Sequence, residues 1–297
     1  MTGKLLAKRM TLKTLADFDF VAGEVLLLDK PLTWTSFDVV RKVKGALQIK
    51  KIGHAGTLDP LATGLLILCT GKKTKDIDQI QAQEKEYTGT LRLGQTTASA
   101  DLETPVLEER PTSHLTEAEI KAATAPFLGI IQQTPPLFSA VKIDGQRAYE
   151  LARQGQSVEI KPKTVTIKEF ELTRVAGADV DFRVVCSKGT YIRSLARDMG
   201  EALGCGAHLT KLVRTRIGEY RLEDALTLTD VQALRPPQPA EKTTDNQRQH
   251  NARRPLKVRV GLEFYAAQQA AAALNSATVE QTPPASSISE INKVNDL

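Results

Sequence analysis

The stretch "KKIGHAGTLDPLATGLLILCTGKKTK", residues 50–75, places a lone carboxylate, Asp59, among glycines and directly before a proline. A residue before proline is pushed to extended backbone angles, and Gly53, Gly56 and Gly64 allow sharp turns and close approach of a ligand. The apolar run "LLILC" that follows predicts a short buried strand. Asp59 is therefore expected on a tight, well-supported loop. By spacing alone it fits a turn aspartate that satisfies local backbone amides, with a catalytic carboxylate as the alternative.

Composition indicates a soluble globular protein of one large domain or two ordinary ones. The chain has 297 residues, of which 41% are hydrophobic and 25% are charged;. Forty Lys and Arg against 35 Asp and Glu give a net charge of +5 and a pI near 9.0. That excess permits a polyanionic partner such as nucleic acid without requiring one.

Cysteine usage and the N-terminus favour the cytoplasm. Cys69, Cys186 and Cys205 are an odd number without CxxC spacing, which suits a reducing compartment better than a disulfide framework;. The N-terminal stretch has no apolar h-region, and no apolar run approaches the roughly 18 residues that a membrane span requires;. We expect a cytoplasmic protein that does not contact membranes.

Strands and helices are interleaved before residue 235. Period-two or short apolar runs predict strands in "GEVLLLDKP", "LLILC", "EYTGTLRLG", "SVEI", "TVTIKEFELTRVA" and "DVDFRVVCSKGTYI";. Helices are expected in "SFDVVRKVKGAL" with Ser36 as N-cap, in "TEAEIKAATAPFLG" with a capping box of Thr116 and Glu119, and in "SLARDMGEALG";. This order predicts an α+β fold with a largely antiparallel sheet.

The chain changes character near residue 235. Six of its 14 prolines lie beyond that point, and Gly261 is the only glycine after Gly218. Polar segments without periodicity predict a disordered C-terminal tail over 236–297. Within it, "VRVGLEFYAAQQAAAALN" could form a strand and a short helix, too small for a core of their own.

Several common chemistries are not indicated by any motif. "LLILCTGKKTK" suggests a phosphate-binding loop, but the glycine that a P-loop needs five residues before Gly71 is Leu66;. The four histidines are scattered, and none lies at metal-ligand spacing from a cysteine or a carboxylate;. Neither GxSxG nor a dinucleotide fingerprint occurs.

The stretch "GHAGTLDPLATGLL" resembles the catalytic motif of the TruB family of tRNA pseudouridine synthases, which isomerise uridine to pseudouridine at position 55 in the TΨC loop of tRNA. Four further blocks follow the family's order: "LLLDKPLTWTSFDVVRKVK", "KEYTGTLRLGQTTASADLE", "TPPLFSAVKIDGQRAYELARQG" and "CSKGTYIRSLARDMGEALGCGAHLTKLVRTRIGEY". The resemblance covers residues 24 to about 226. It implies a pseudouridine synthase fold over 21–235, with a mixed, largely antiparallel sheet flanked by helices and loops, after an N-terminal extension at 1–20. It also implies a thumb-like, T-loop-binding insertion at 125–160.

The resemblance assigns roles to particular residues. It implies that Asp59 is the nucleophile and that Arg193 pairs with it. Tyr87 would stack on the target base and assist proton removal from carbon 5, while Tyr191 and Leu212 would line the pocket. Without the resemblance, Arg193 would be taken for a surface arginine, and Tyr87 and Leu212 for packing residues.

Two further site residues and the absence of cofactors follow from the same resemblance. His54 would help to extrude the stacked target base, with a hydrogen-bonded loop histidine as the alternative. Lys30, with Pro31, would shape the pocket wall. The isomerisation is redox-neutral and implies neither a metal nor an organic cofactor.

RNA contacts are expected from basic residues, because phosphate neutralisation supplies much of the affinity for RNA. The candidates are Arg41, Lys42, Lys50, Lys51, Lys72, Lys73, Lys142, Arg147 and Arg153. The expected partner is the T arm of tRNA, bound by a monomer.

Residues 236–297 lack the strand pattern of the PUA-type RNA-binding module that longer family members carry. One alternative function is a guide-directed or other-RNA pseudouridine synthase, against which the missing module argues. Another is a non-catalytic chaperone that refolds tRNA.

Overall fold

The computed structural model describes residues 18–156 and 158–234. Most of the expected N-terminal extension and the whole predicted tail lie outside these residues. At the end of the extension, the rings of Phe18 and Phe20 stack 5.5 Å apart and pack against the hydrophobic core. Within the described ranges, no helix is both long enough and apolar enough to cross a membrane.

A mixed β-sheet forms the centre of the fold. The described strands are β1 (Val25–Lys30), β2 (Ile52–His54), β3 (Ala62–Thr70), β4 (Lys85–Leu93), β5 (Gln95–Thr97), β6 (Val106–Glu109), β7 (Gly129–Gln133), β8 (Lys142–Ile143), β9 (Gln146–Arg147), β10 (Lys163–Ala176), β11 (Asp179–Cys186), β12 (Ala207–Ile217) and β13 (Tyr220–Arg221). The main sheet has the order β1-β3-β12-β4-β11-β10-β7, with β2 paired to β3 and β13 to β12. Its pairs are antiparallel apart from the parallel pair of β3 and β12. The predicted mixed, largely antiparallel sheet is confirmed.

Helices pack around this sheet. They are α1 (Ser36–Ala46), α2 (Ile77–Ala82), α3 (Glu117–Ala122), α4 (Ala148–Arg153), α5 (Ile192–Ala202) and α6 (Leu228–Ala233), with 3₁₀ turns at Gly71–Asp76, Ala125–Phe127 and Leu222–Asp224. The interleaving of these helices with the strands confirms the α+β class.

The apolar run in β3 is explained by burial on both faces of the sheet. Leu66 and Leu68 pack into a cluster with α1 and β1, whereas Leu65 and Ile67 point into a second cluster on the other face. A strand covered on both sides is continuously apolar rather than alternating. β3 is therefore a rigid support for the residues at its start, which follow Asp59 in the chain.

Two local predictions were wrong. Thr35, not Ser36, caps α1, because its hydroxyl accepts a hydrogen bond from Asp38 N while the Asp38 carboxylate accepts from Thr35 N. The described residues of the predicted strand "SVEI", 158–160, are not in a strand. The capping box of Thr116 and Glu119 is confirmed.

Neither β7 nor the central strand β12 is predicted as a strand by its local sequence pattern. β12 reads "AHLTKLVRTRI" and carries five polar or charged side chains besides its histidine, so it lacks a clear apolar period. β7 lies within the expected insertion but pairs with β10 in the main sheet. The part of the insertion that stands apart from the sheet begins after Gln133 and contains β8, β9 and α4.

Candidate active site

Asp59 lies on the loop that joins β2 to β3, and α1 braces this loop. The hydroxyl of Ser36 donates to the Leu58 carbonyl (3.2 Å) and accepts from the Leu58 amide (2.9 Å). This contact occupies Ser36, whose neighbour Thr35 caps the helix. The Asp59 side chain is 41% exposed, so its carboxylate can meet a ligand while the preceding backbone is fixed.

Lys30 braces the other side of the loop. Its side chain is fully buried, and its Nζ donates to the carbonyls of Pro31 (3.0 Å), Trp34 (2.7 Å) and Pro60 (3.3 Å). Burial lowers the pKa of Lys30 to about 8, and the charge of Asp59 acts in the opposite direction. The ammonium thus holds the loop after β1 against the residue that follows Asp59, which agrees with the expected role in shaping the pocket wall.

Arg193 and Asp59 form an ion pair across 134 positions of sequence. Arg193 lies in the first turn of α5 with its side chain 5% exposed, and its Nε donates to Asp59 Oδ2 at 2.9 Å. The remaining guanidinium nitrogens donate to the carbonyls of Ser99 and Phe138, both at 3.0 Å. The guanidinium is therefore fixed in place by the backbone before it meets the carboxylate.

A second carboxylate, Asp101, shares this guanidinium and was not singled out from the sequence. Its Oδ2 is 3.6 Å from Arg193 Nε and its side chain is 9% exposed. Burial raises the pKa of Asp101, while Arg193 opposes that effect. In "TASADLE" it resembles a turn aspartate, and its Oδ1 does accept from the Glu103 amide at 2.9 Å, so no local signal distinguishes it.

Leu212 lies in the same cleft, and both expected tyrosines lie close enough to Asp59 for its charge to act on them. Leu212 lines the cleft together with Asp59 and Arg193. Tyr87 projects from β4 and is 9% exposed; burial raises its pKa, and the charge of Arg214 acts against that rise. Burial also raises the pKa of Tyr191, with the charge of Asp59 adding to the effect. Both phenols are therefore protonated at neutral pH.

The insertion is attached to α5 through buried polar contacts. Gln133 is almost fully buried; its Oε1 accepts from the Tyr191 amide (2.8 Å) and its Nε2 donates to the Tyr191 carbonyl (3.1 Å). Ser194 Oγ donates to the Thr134 carbonyl at 2.7 Å. Together with the contact from Arg193 to Phe138, these bonds set the position of the insertion's first residues beside the cleft.

Arg214, in β12, is a second buried arginine that no sequence pattern singles out. It is 1% exposed. Its Nε donates to the Leu65 carbonyl (2.8 Å), Nη1 to Thr57 (3.3 Å) and Nη2 to Gly56 (3.1 Å). The run "LVRTR" gives no sign of which arginine is buried, because β12 has a register shift between Arg214 and Arg216.

His54 ends β2, at the entrance to the Asp59 loop. Burial lowers its pKa, and the charge of Arg214 lowers it further, so the imidazole is neutral at pH 7. Its Nδ1 is buried without a hydrogen-bond partner among the described residues.

All nine predicted RNA-binding residues are exposed. Arg41 and Lys42 lie on α1, and the other seven fall into two separate groups. Lys50, Lys51, Lys72 and Lys73 lie at the end of β3 remote from Asp59, since β2 pairs Ile52 with Thr70. β3 has nine residues, so at about 3.3 Å per residue these lysines are about 26 Å from its start.

Lys142, Arg147 and Arg153 belong to the insertion and form the second group. Arg153 donates to Glu103 at 2.9 Å and lies over the ring of Tyr149, 5.5 Å from its centroid. Because Glu103 closely follows Asp101, Arg153 is on the cleft side of the molecule.

Among residues 18–156 and 158–234, no group of three or more His, Cys, Asp or Glu side chains is arranged to hold a metal ion.

Comparison with known proteins identifies the family. The family described as "TruB family pseudouridylate synthase (N terminal domain)" matches residues 44–192, and "tRNA pseudouridylate synthase B C-terminal domain" matches residues 193–246. The chain is 56% identical over 218 residues to tRNA pseudouridine synthase B of Flavobacterium johnsoniae, covering 71% of this chain and 95% of that protein. It is 56% identical over 216 residues to the protein of the same name from Phocaeicola vulgatus, covering 71% and 92%.

Solved structures with a related fold include proteins in multi-subunit complexes. The chain resembles a protein in the crystal structure of the archaeal box H/ACA sRNP Nop10-Cbf5 complex, with a TM-score of 0.55, 30% identity and 73% of this chain covered. It also resembles a chain in a Cbf5-Nop10-Gar1 complex, with a TM-score of 0.56, 32% identity and 74% covered. The match spans 55% and 56% of those two chains. On the sequence matches, supported by this fold, the chain belongs to the TruB family of pseudouridylate synthases.

Proposed function

We propose that this protein isomerises uridine to pseudouridine at position 55 in the T loop of tRNA, with Asp59 as the nucleophile and without a cofactor. The observation that carries the proposal is the Asp59–Arg193 pair, in which a backbone-fixed, buried guanidinium meets a carboxylate open to the cleft. An aspartate carboxylate can act as a nucleophile, and the ion pair holds this one at the cleft. The names and high coverage of the bacterial relatives support tRNA as the substrate.

The reaction needs no second acid to activate water, because the displaced base is itself the second reactant. Attack by the Asp59 carboxylate leads to cleavage of the bond between sugar and base, and the base turns and rejoins the sugar through carbon 5. Carbon 5 then loses its proton, and the former glycosidic nitrogen gains one. A glycosidase, in contrast, requires paired carboxylates on either side of the bond.

Tyr87 assists this proton transfer as a neutral phenol. Its raised pKa means that a phenolate is scarce at neutral pH. A neutral hydroxyl can accept the carbon 5 proton only while passing on its own, so Tyr87 acts as a relay as well as a stacking surface for the base.

The target uridine must leave its stack before it reaches Asp59. Leu212 and Tyr191 provide walls for the extruded base, and the unpaired Nδ1 of His54 is available to a polar group that moves during extrusion. Lys142, Arg147 and Arg153 contact phosphates of the T loop, while the remote lysines contact another part of the tRNA.

The protein works as a monomer in the cytoplasm, where its substrate is found. The three cysteines are free and buried, which suits a reducing compartment.

A guide-directed activity is the second candidate, since the archaeal structures belong to H/ACA assemblies. Those chains are about 30% identical and are only about half covered, whereas the tRNA-specific relatives are 56% identical and more than nine-tenths covered. The balance of similarity favours tRNA.

Purified protein and a T-arm hairpin, with no other RNA or protein and with excess chelator, test the proposal. We expect pseudouridine at the position equivalent to 55, and none in a hairpin that carries cytidine there. Conversion only after addition of a guide RNA would favour the second candidate. If wild type accelerates tRNA refolding but converts no uridine, the protein is a chaperone and the proposal is wrong.

A further inference from the structure

Arg214 lies in β12, between β3, which follows the Asp59 loop, and β4, which carries Tyr87. In the pairing of β12 with β4 it lies opposite Tyr87, and in the pairing of β12 with β3 it lies opposite Gly64. Side chains of directly opposite residues project from the same face of a sheet. Arg214 is therefore directly opposite Tyr87 in β4 and directly opposite Gly64 in β3, the strand that follows the Asp59 loop.

The strands approach each other closely at this point. Gly64 has φ +98°, and a Cβ added there would lie 2.4 Å from the Arg214 carbonyl oxygen and 2.9 Å from its amide nitrogen. A side chain at Gly64 would push β3 away from β12, so this position requires glycine. The close approach places the Arg214 guanidinium within reach of the loop that leads into β3.

The guanidinium bonds to the start of the Asp59 loop and to the strand that follows this loop. Gly56 and Thr57 precede Asp59 by three and two residues, and Leu65 follows it, and all three carbonyls accept from Arg214. The same guanidinium interacts with the phenol of Tyr87. Its five donors in a rigid fork allow these divergent contacts, which a lysine ammonium cannot reproduce from one position.

We propose that Arg214 is a positioning residue of the pseudouridine synthase reaction, which holds the Asp59 loop and the Tyr87 hydroxyl in one fixed arrangement. This inference rests on the proposed function. Arg214 is buried and cannot reach RNA phosphates, so it acts on the chemical step and not on RNA affinity. A displacement of reacting groups by about 1 Å can slow an enzyme by about 100-fold.

The test uses Arg214→Gln and Arg214→Lys, each alone and combined with Tyr87→Phe. Arg216→Gln is the matched control, because Arg216 lies two residues along the same strand and pairs with Glu84 at 2.9 Å, away from the cleft. The measurements are the single-turnover rate on a T-arm hairpin with enzyme in excess, the Kd of the same hairpin and the melting temperature.

We expect Arg214→Gln to slow conversion by about 100-fold with Kd unchanged within about threefold, and Arg214→Lys to recover about tenfold of that loss because it retains the charge. In the Tyr87→Phe background the effect of Arg214→Gln should shrink, since residues that act together are not additive. Arg216→Gln should remain close to wild type in both rate and Kd.

Fully multiplicative effects of Arg214→Gln and Tyr87→Phe, weakened hairpin binding, or a rate equal to that of the Arg216 control would overturn the inference. If Arg214→Gln does not fold, the Arg214→Lys series decides by the same criteria. If Tyr87→Phe alone has no measurable rate, the inference is tested by two other results. Arg214→Gln must slow the rate without changing Kd, and Arg214→Lys must recover part of that rate. A wild-type protein that converts no uridine would refute the proposed function itself, a different outcome from an active wild type with unaffected Arg214 variants.

Discussion

Replacing Asp59 by asparagine should abolish pseudouridine formation while leaving the fold and RNA binding almost intact. Asparagine keeps the size of the side chain but is a negligible nucleophile. RNA affinity should not fall, because removal of a negative charge cannot weaken attraction to phosphate. The rate of conversion should therefore drop below detection while the Kd for a T-arm hairpin stays within about threefold of wild type.

The expected loss of stability can be derived from the contacts of Arg193. A hydrogen bond to a charged group contributes about 1.5–3 kcal/mol. The Asp59 side chain is 41% exposed, its asparagine replacement can still accept from Arg193 Nε, and Asp101 remains 3.6 Å away. We therefore expect the free energy of unfolding of Asp59→Asn to be about 1 kcal/mol lower than that of wild type. A change of this size lowers the melting temperature of a domain of this size by about 2–4 °C.

Asp179→Asn is a matched control outside the cleft. Asp179 pairs with Arg92 at 2.7 Å with its side chain 34% exposed, an exposure similar to that of Asp59. This variant should lose a similar amount of stability and retain full activity. If Asp59→Asn converts the hairpin at a rate within tenfold of wild type, Asp59 is a turn residue and the nucleophile assignment is wrong.

Three further predictions concern other parts of the site and the core. Arg193→Met leaves Asp59 and buried Asp101 without their shared cation. Urea denaturation should therefore show a free energy of unfolding lower by about 3–5 kcal/mol, and the variant should lose activity. An unchanged unfolding midpoint would contradict this. His54→Gln should slow conversion of a structured T arm more than conversion of a short single-stranded substrate, whose uridine needs no extrusion, and equal effects on both would argue against a role in extrusion. Burial lowers the pKa of Lys85 to about 8, below its value of about 10.4 in the unfolded chain. The unfolded state thus binds an extra proton between these pH values, and the penalty of burying Lys85 is relieved as pH rises through them. The unfolding free energy of wild type relative to Lys85→Met should increase between pH 8 and 10 by at most about 1.4 kcal/mol per pH unit, and a constant difference would refute the assignment.

Short-range sequence patterns were sufficient for many elements. The alternation in "EYTGTLRLG", the apolar run in "LLILC" and the capping box of Thr116 and Glu119 each depend on residues within a few positions of one another, and each prediction is confirmed. The glycines and the proline around Asp59 predicted a tight loop, which the structure places between β2 and β3. The family resemblance added the expected partners. The structure places Arg193 and Leu212 in one cleft with Asp59, and Tyr87 and Tyr191 close enough for the charge of Asp59 to act on them.

Other features depend on contacts that no short window contains. Thr35 and Ser36 are adjacent hydroxyl residues that can both cap a helix, and the choice is made by Leu58, which engages Ser36 from 22 positions away. β12 has little apolar periodicity, because its buried Arg214 bonds to backbone carbonyls instead of packing as a hydrophobic side chain. The lysines at 72 and 73 are close to Asp59 in sequence but lie about 26 Å from the start of β3 because that strand is extended;.

The sequence by itself determined the secondary structure near Asp59 and, through its motifs, the family. Only the tertiary structure decided which charged groups meet which partners: Asp101 lies beside Arg193, and Arg214 donates to the Asp59 loop while lying opposite Tyr87. The physical reason is that periodicity and capping act over a few residues, whereas buried charges are satisfied by whichever groups strand pairing brings within about 3 Å of them.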